Sequence, residues 1–292
     1  MRNHSGACTL KLAWPWLDRQ RRFSALKAAT FALMLAPAAY LAYQLGDGEF
    51  GIYPMWLGGM TYWSGVWATA VLLLALAVTP ALTIWNWRSL IDVRRMIGVA
   101  ALLYTIGHLT VYFALRFWNF ATIAKEMASP FLVTATLSTI GLLALGLTSV
   151  DAAIARMGVK GWQRLHNTIY VVTALAVLHT LLSRGTNPMQ YLLSGAFFWL
   201  MVWRVLDRCG RGAHAKSLAL LAVASCLFAV LLEIGCVWLK RGYPPTETLA
   251  NNFTLIFGIP PAWEILFAGL LIALSAVRPN LRLISSEVTP SR

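Results

Sequence analysis

Residues 161–184 of this chain, GWQRLHNTIYVVTALAVLHTLLSR, decide its fold. A basic and aromatic edge is followed by about twenty mostly apolar residues, a length that crosses a lipid bilayer as a helix. Two histidines, His166 and His179, lie inside this stretch. Ionisable side chains are costly within a membrane helix, and neutral imidazole binds metal ions. The stretch therefore predicts a membrane-spanning helix that carries a functional site.

The composition extends this interpretation to the whole chain. Of the 292 residues, 59% are hydrophobic and only 12% are charged, which is too apolar for a soluble domain of this size. The net charge of +13 falls in short runs between apolar segments, the pattern of membrane topology signals rather than of nucleic-acid binding. No CxxC pair is present, which argues against a zinc or iron–sulfur site.

Apolar runs along the chain predict an all-α, polytopic membrane helix bundle with about eight transmembrane helices. The eight predicted spans are 25–45, 62–84, 97–117, 130–150, 161–184, 188–206, 217–239 and 262–277. The last is the shortest. Long loops at 46–61 and 240–261 are rich in Gly, Pro and aromatic residues, and both are expected to face outward.

The distribution of basic residues predicts the orientation. If the N-terminus is cytoplasmic and the spans alternate, 19 of the 24 Lys and Arg residues lie on the cytoplasmic side. The other five are Arg116, Lys125, Arg184, Lys240 and Arg241. Such a bias places both termini in the cytoplasm, with a basic segment at 1–24 and a tail at 278–292. Glu233 and Glu264 fall near the outer ends of the last two spans and are expected to pair with Lys240 or Arg241.

Two histidines on different spans are predicted to lie at the same depth. His108 is thirteen residues beyond Arg95, or about 20 Å of helix, and His179 is fifteen beyond Arg164, or about 22 Å. Both helices run outward, so both imidazoles lie in the outer half of the bilayer. Two such imidazoles can clamp one heme iron axially. Each could instead be a polar residue that bonds a neighbouring helix, and the spacing alone leaves both interpretations open.

His166 differs because it lies near the inner edge, with no second histidine at its depth. On one ideal helix it would lie about 140° around the axis from His179. It could ligate a second heme, bind a quinol or flavin head group, or lie at the interface. Arg94, Arg95 and Arg164 at the same edge could pair with heme propionates, although topology alone would also place arginines there.

Short motifs in the first two thirds of the chain point to a known family. They are Arg94-Arg95 with Gly98, Gly107-His108-Leu109-Thr110-Val111-Tyr112, Pro130-Phe131-Leu132, Leu147-Thr148-Ser149, and Trp162-Gln163-Arg164-Leu165-His166-Asn167 with Tyr170 and His179. Their order resembles that of the ferric-reductase-like transmembrane family over about residues 60–206. The closer similarity is to the heme-binding membrane subunits of bacterial periplasmic protein-methionine-sulfoxide reductase systems.

The resemblance implies an electron-transfer subunit of an oxidoreductase system in the bacterial inner membrane, with one or two b-type hemes. Its metal-binding histidines correspond to His108, His166 and His179. FMN is also associated with the family, but no FMN contacts can be assigned. The implied partner is a periplasmic molybdopterin-containing reductase that repairs oxidised methionine. The family's six-span core corresponds to residues 25–206, and residues 207–277 would add two helices.

The electron donor is expected to be a separate protein or a lipid-soluble carrier. The predicted tail is short and no GxGxxG motif is present, so a cytoplasmic flavin reductase or membrane quinol would supply electrons near His166. They would pass to the heme of His108 and His179 and leave through the outer loops. No catalytic nucleophile or general base is needed.

Two alternative functions remain from the sequence. A stand-alone quinol-linked ferric or cupric reductase of the same fold would need metal-binding groups on its outer loops, where carboxylates are few. A heme-free transporter or scaffold is the other alternative. Carriers often show paired broken helices with charges at mid-membrane, and no such pair is evident in the sequence.

Overall fold

The computed structural model describes residues 14–18, 20–256 and 258–287, with side chains of the last helix described to residue 277. Most of the predicted basic segment at 1–24 and the end of the predicted tail at 278–292 lie outside these residues. Within them, regular structure is helical, apart from one isolated bridge between Leu17 and Phe23.

Eleven α-helices and one 3-10 turn, Arg88–Leu90, follow one another in the described chain. The helices are α1 (Ala25–Gly46), α2 (Trp56–Trp85), α3 (Ile91–Leu115), α4 (Phe120–Glu126), α5 (Pro130–Leu147), α6 (Asp151–His166), α7 (Ile169–Leu182), α8 (Pro188–Arg208), α9 (Ala215–Arg241), α10 (Pro245–Asn251) and α11 (Pro261–Glu287).

The all-α, polytopic prediction is confirmed. Seven helical segments of the described chain are long and apolar enough to cross a membrane, and Pro261–Val277 within α11 is a shorter apolar helix. These eight correspond to the eight predicted spans. The short helices α4 and α10 lie in segments that were expected to be loops. Caps define several of the boundaries: Ser129 Oγ accepts from Leu132 N before α5, and Asn187 Oδ1 accepts from Met189 N before α8.

The stretch 161–184 is not one continuous helix, contrary to the sequence prediction. The turn at Asn167 and Thr168 separates α6 from α7, and Gly158 has a φ of 71° inside α6. Thr168 Oγ1 donates to the carbonyl of Leu165 at 2.7 Å, so the side chain competes with the helical ladder at the break. His166 therefore ends α6 while His179 belongs to α7, and the angle expected between them on one helix does not apply.

Helix α2, rather than the stretch 161–184, is the packing centre of the bundle. Half of its most apolar window is buried, compared with 17% for the segment Asp151–Leu182. One face of α2 contributes to a core with α8, α9 and α11 that includes the fully buried Trp203. The other face contributes to a core with α1, α3, α5 and α7. The stretch quoted first thus carries candidate functional side chains, while α2 joins the two halves of the bundle.

The two additional helices, α9 and α11, are integral to the described bundle. They pack against each other where Gly269 meets Ala222, with no room for a side chain on the glycine. Gly195 of α8 similarly accommodates the side chain of Ile265. Small residues of this kind let membrane helices approach closely, which is how such helices associate without a hydrophobic driving force. The C-terminal pair is thereby fixed onto α8 and α2.

Candidate functional site

The rings of His108 on α3 and His179 on α7 face each other across the bundle. Their centroids are 6.4 Å apart with an angle of 71° between the ring planes. An imidazole nitrogen binds a transition metal at about 2 Å and lies about 1 Å from its own ring centre, so two axial imidazoles have centroids about 6 Å apart. The observed separation fits a single iron between the two rings. The structure thus brings together the two histidines that were expected at equal depth.

Each of these rings is held through its Nδ1 atom. His179 Nδ1 lies 2.9 Å from the carbonyl oxygen of Phe131, which can only accept, so Nδ1 carries the hydrogen. His108 Nδ1 lies 3.1 Å from Ser64 Oγ, which also lies 3.1 Å from the carbonyl of Thr61. Because Ser64 donates to that carbonyl, it accepts from His108. In both neutral rings Nε2 is then the atom with the free lone pair, the arrangement that orients metal-binding histidines.

Close packing fixes the two rings further. A Cβ atom on Gly65 would lie 2.9 Å from His108 Cε1 and 3.1 Å from Nδ1, so α2 can lie against this ring only because residue 65 is glycine. Phe131 stacks on His179 with centroids 4.1 Å apart and 27° between the planes. These contacts leave each imidazole little freedom to rotate, which preorganises the pair.

The two histidines line one cavity of about 390 Å³, a volume typical of cofactor and ligand sites. Its walls come mainly from α2, α3, α5 and α7 and are largely apolar. Hydroxyl and amide groups interrupt the apolar lining, among them those of Tyr62 and Asn187. Asp, Glu, Lys and Arg are absent from the described lining. An apolar planar group with imidazole ligands on both faces suits this cavity.

His166 lies outside this cavity, at the C-terminal end of α6. Its Nε2 is 3.2 Å from Thr148 Oγ1, and its ring stacks on Trp162 with centroids 3.9 Å apart. Trp162 Nε1 also donates to the carbonyl of Thr148 at 2.9 Å. Two hydrogen bonds thus join the end of α5 to the end of α6, and the ring stack lies within α6. The structure does not bring His166 together with His108 and His179.

Of the three arginines proposed as cofactor partners, only Arg94 interacts with His166, and none lies with the histidine pair. Arg95 forms an exposed ion pair with Asp151 at 2.7 Å. Arg94 is close enough to His166 to interact with it electrostatically, and Arg164 is exposed. None of the three lines the described cavity. A role for them would therefore lie outside the cavity of His108 and His179.

A second polar group, not anticipated from the sequence, lies at the C-terminal end of α3. Tyr112, which lines the cavity, donates its hydroxyl hydrogen to Glu126 Oε2 at 2.7 Å. Arg116 Nε lies 3.0 Å from the same oxygen, and its guanidinium lies over the Tyr112 ring. These contacts hold the short helix α4 against α3 beside the cavity.

A pair of half-buried histidines on separate helices of a polytopic bundle is the arrangement that the resemblance to ferric-reductase-like membrane proteins led us to expect. The sequence profile described as "Ferric reductase like transmembrane component" matches residues 64–177, an interval that includes His108 and His166 and ends two residues before His179. No solved structure gave a significant match.

Similar curated proteins give a narrower assignment. The protein-methionine-sulfoxide reductase heme-binding subunit MsrQ of Azospira oryzae is 37% identical, over 64% of this chain and 82% of that protein. The subunit of the same name from Caulobacter vibrioides is 32% identical, over 62% and 86%. Magnetosome protein MamZ of Paramagnetospirillum magneticum is 30% identical, over 61% of this chain but only 28% of MamZ. The chain belongs to the family of protein-methionine-sulfoxide reductase heme-binding subunits.

Proposed function

We propose that this protein carries electrons across the bacterial inner membrane to a periplasmic molybdopterin-containing methionine-sulfoxide reductase, which repairs oxidised periplasmic proteins. The observation that carries the proposal is the His108–His179 pair, with centroids 6.4 Å apart and both Nδ1 atoms occupied by hydrogen bonds. Family membership supports the same role. The orientation predicted from the basic residues places this pair in the outer half of the membrane, near such an acceptor.

His108 and His179 would hold a b-type heme through Nε2. Heme supplies one-electron redox chemistry, and the protein supplies its orientation and surroundings. Ser64 and the Phe131 carbonyl keep each ring in the tautomer that can ligate. The apolar cavity walls exclude water and lower the local dielectric, two of the influences that set a heme potential. No side chain is required to transfer a proton, so the chain is proposed as an electron-transfer subunit.

The inner group formed by His166, Trp162 and Arg94 is the proposed entry side, where a cytoplasmic flavin reductase or membrane quinol would donate. His166 Nε2 faces Thr148 Oγ1, so ligation of a second heme through that atom would require this hydrogen bond to be exchanged. Ligation through Nδ1 would leave the hydrogen bond to Thr148 in place. Arg95 and Arg164 at the same face are proposed to attract an anionic group such as a flavin phosphate or a heme propionate. FMN remains a proposal from the family alone.

The test uses full-length protein purified in detergent and then placed in liposomes. After dithionite reduction we expect the α and Soret bands of a b-type heme. The reduced protein should then be reoxidised by a purified periplasmic molybdopterin reductase only when methionine sulfoxide is present. A spectrum without heme bands would contradict the proposal and leave the transporter or scaffold. Reoxidation by ferric or cupric ions, with none by the reductase and sulfoxide, would instead identify the stand-alone metal reductase.

A further inference from the structure

The helix that carries His179 ends only three residues beyond it, at Leu182. The last carbonyl groups of any α-helix have no partner within the helix. In a membrane such groups must be satisfied by other protein groups, because lipid offers no donors. The partners found by the end of α7 therefore determine how firmly His179 is held.

One set of partners comes from α8. Gln190 is only 4% exposed. Its side-chain amide matches the surrounding hydrogen-bond donors and acceptors when the nitrogen faces Thr180. In that orientation the nitrogen donates to the Thr180 carbonyl at 3.0 Å, while the oxygen accepts from the Tyr191 hydroxyl at 2.9 Å and from Asn187 N at 3.1 Å. The last turn of α7 is thus tied to the first turn of α8.

The second partner comes from the additional helix α9. Lys240 Nζ donates to the carbonyl of Ser183 at 2.8 Å and to that of Gly185 at 3.1 Å. Ser183 is the C-cap of α7, so an ammonium group lies at the negative end of the helix dipole. Glu233, which was expected to pair with Lys240, accepts from Asn252 Nδ2 at 3.0 Å instead. Among the described residues, Lys240 forms no ion pair with Glu233 or Glu264.

The segment that Lys240 holds is also part of the cavity wall. Ser183 and Asn187 line the cavity together with His179. The imidazole is fixed on one side by Phe131, through the stack and the Nδ1 hydrogen bond. The end of its helix is fixed on the other side by Gln190 and Lys240.

We propose that Lys240 is a positioning residue, through which the additional helices hold the end of the His179 helix and so set the geometry of the heme site. This inference rests on the proposed function for its heme-dependent part. It assigns a role to α9, which lies beyond the residues matched by the family profile. If only a positive charge at this end of α9 were needed, Lys240 itself would not be required, because the neighbouring Arg241 supplies one.

The experiment compares Lys240→Met, Lys240→Arg and the matched control Arg241→Met in full-length purified protein. Arg241 is adjacent and exposed, so Arg241→Met removes the same charge from the same end of α9. It leaves the hydrogen bonds of Lys240 to Ser183 and Gly185 in place. Hydrogen–deuterium exchange in the peptide covering residues 180–187 is the readout that needs no heme. Lys240→Met should speed exchange there by about tenfold, as expected from the loss of charge-assisted hydrogen bonds. Arg241→Met should not, and Lys240→Arg should restore most of the protection.

The low-spin heme electron paramagnetic resonance signal is the second readout. Lys240→Met should shift its g values while Arg241→Met leaves them in place. Unchanged exchange in Lys240→Met would show that Lys240 does not hold the end of α7. Faster exchange with an unshifted heme signal would show that this contact does not set the geometry of the heme site, and either result would overturn the proposal. If the unsubstituted protein lacked heme, the proposed function would fail and the positioning role with it. The exchange data would then report only whether Lys240 holds the loop.

Discussion

The hydroxyl group of Tyr104 on α3 donates to the carbonyl of Met34 on α1 at 2.6 Å. The same oxygen accepts from the backbone nitrogen of Ala38 at 3.0 Å. Ala38 N and Met34 O are the two groups that an uninterrupted α1 would bond to each other. Pro37 lies between them and cannot donate a hydrogen bond of its own. The Tyr104 hydroxyl therefore takes the place of a backbone hydrogen bond that is missing beside Pro37, and it joins α1 to α3 one turn before His108.

Replacing Tyr104 by Phe should destabilise the protein by about 1–3 kcal/mol, because two backbone groups lose their partner in an apolar setting. The measurement is thermal unfolding in detergent, with Tyr40→Phe as the control. Tyr40 lies on the same helix α1, but its hydroxyl only accepts from the exposed side chain of Gln44. Equal melting temperatures for the two variants would show that the Tyr104 bridge is not important for stability.

Replacing His108 or His179 by Ala should abolish the main heme absorbance, since each ring supplies one of the two axial nitrogens of the proposed site. His166→Ala should retain most of it, because that ring lies outside the cavity. The measurement is the reduced α band per milligram of purified protein, with His214→Ala as a control at the N-cap of α9. Equal heme retention in the His108, His166 and His179 variants would contradict the ligand assignment.

The sequence predicted that His108 and His179 lie level with each other because helices rise by a constant amount per residue, and the two rings are adjacent in the structure. The break at Asn167 and Thr168 left that estimate nearly unchanged, since two residues of turn alter the height of His179 along the span very little. The break did change which helix His166 belongs to. Competition between a threonine side chain and the backbone is local chemistry that an apolar run does not reveal.

The central place of α2 was not predictable from hydropathy. The most apolar window of α9 has a higher mean hydropathy than that of α2, 2.5 against 2.0, yet a smaller share of it is buried, 22% against 50%. In a membrane, apolar side chains face lipid as readily as they face the protein core, so hydrophobicity does not report burial. Small residues at close helix contacts, such as Gly65 and Gly269, are the better signal, and their partners become apparent only in three dimensions.

The groups that orient the histidines were also missed, for two different reasons. Phe131 belongs to one of the family motifs, but it holds His179 through its backbone carbonyl, which every residue type possesses, so the motif did not reveal this role. Lys240 was expected to pair with Glu233 or Glu264, because a carboxylate near the same helix ends is the simplest partner for its charge. Ser64 was the most accessible clue, as the single serine of the predicted span 62–84 and the neighbour of a glycine.

Replacing Ser64 by Ala should weaken heme binding by about 10–100-fold, the usual effect of removing a group that orients a metal-bound histidine. The His108 Nδ1 hydrogen would lose its acceptor, and the ring could then turn or change tautomer. The measurement is heme affinity by titration of protein prepared without heme. Ser225→Ala is the control, because Ser225 is also buried but bonds only the Leu221 carbonyl of its own helix. Matching affinities for the two variants would remove Ser64 from the site.

Replacing Gly65 by Ala tests the close approach of α2 to His108. The new methyl group would lie 2.9 Å from Cε1, so either the imidazole turns away from His179 or the two helices separate. Either response moves Nε2 by a few tenths of an ångström or more, and we expect loss of most of the low-spin heme signal in electron paramagnetic resonance.

Gly107→Ala is the matched control, because a Cβ there meets nothing within 4 Å although the residue directly precedes His108. Since alanine favours helix more than glycine does, that variant should keep its heme and be at least as stable as the unsubstituted protein. A Gly65→Ala protein with an unaltered heme signal would mean that the ring can shift without cost, and that packing by α2 does not determine its position.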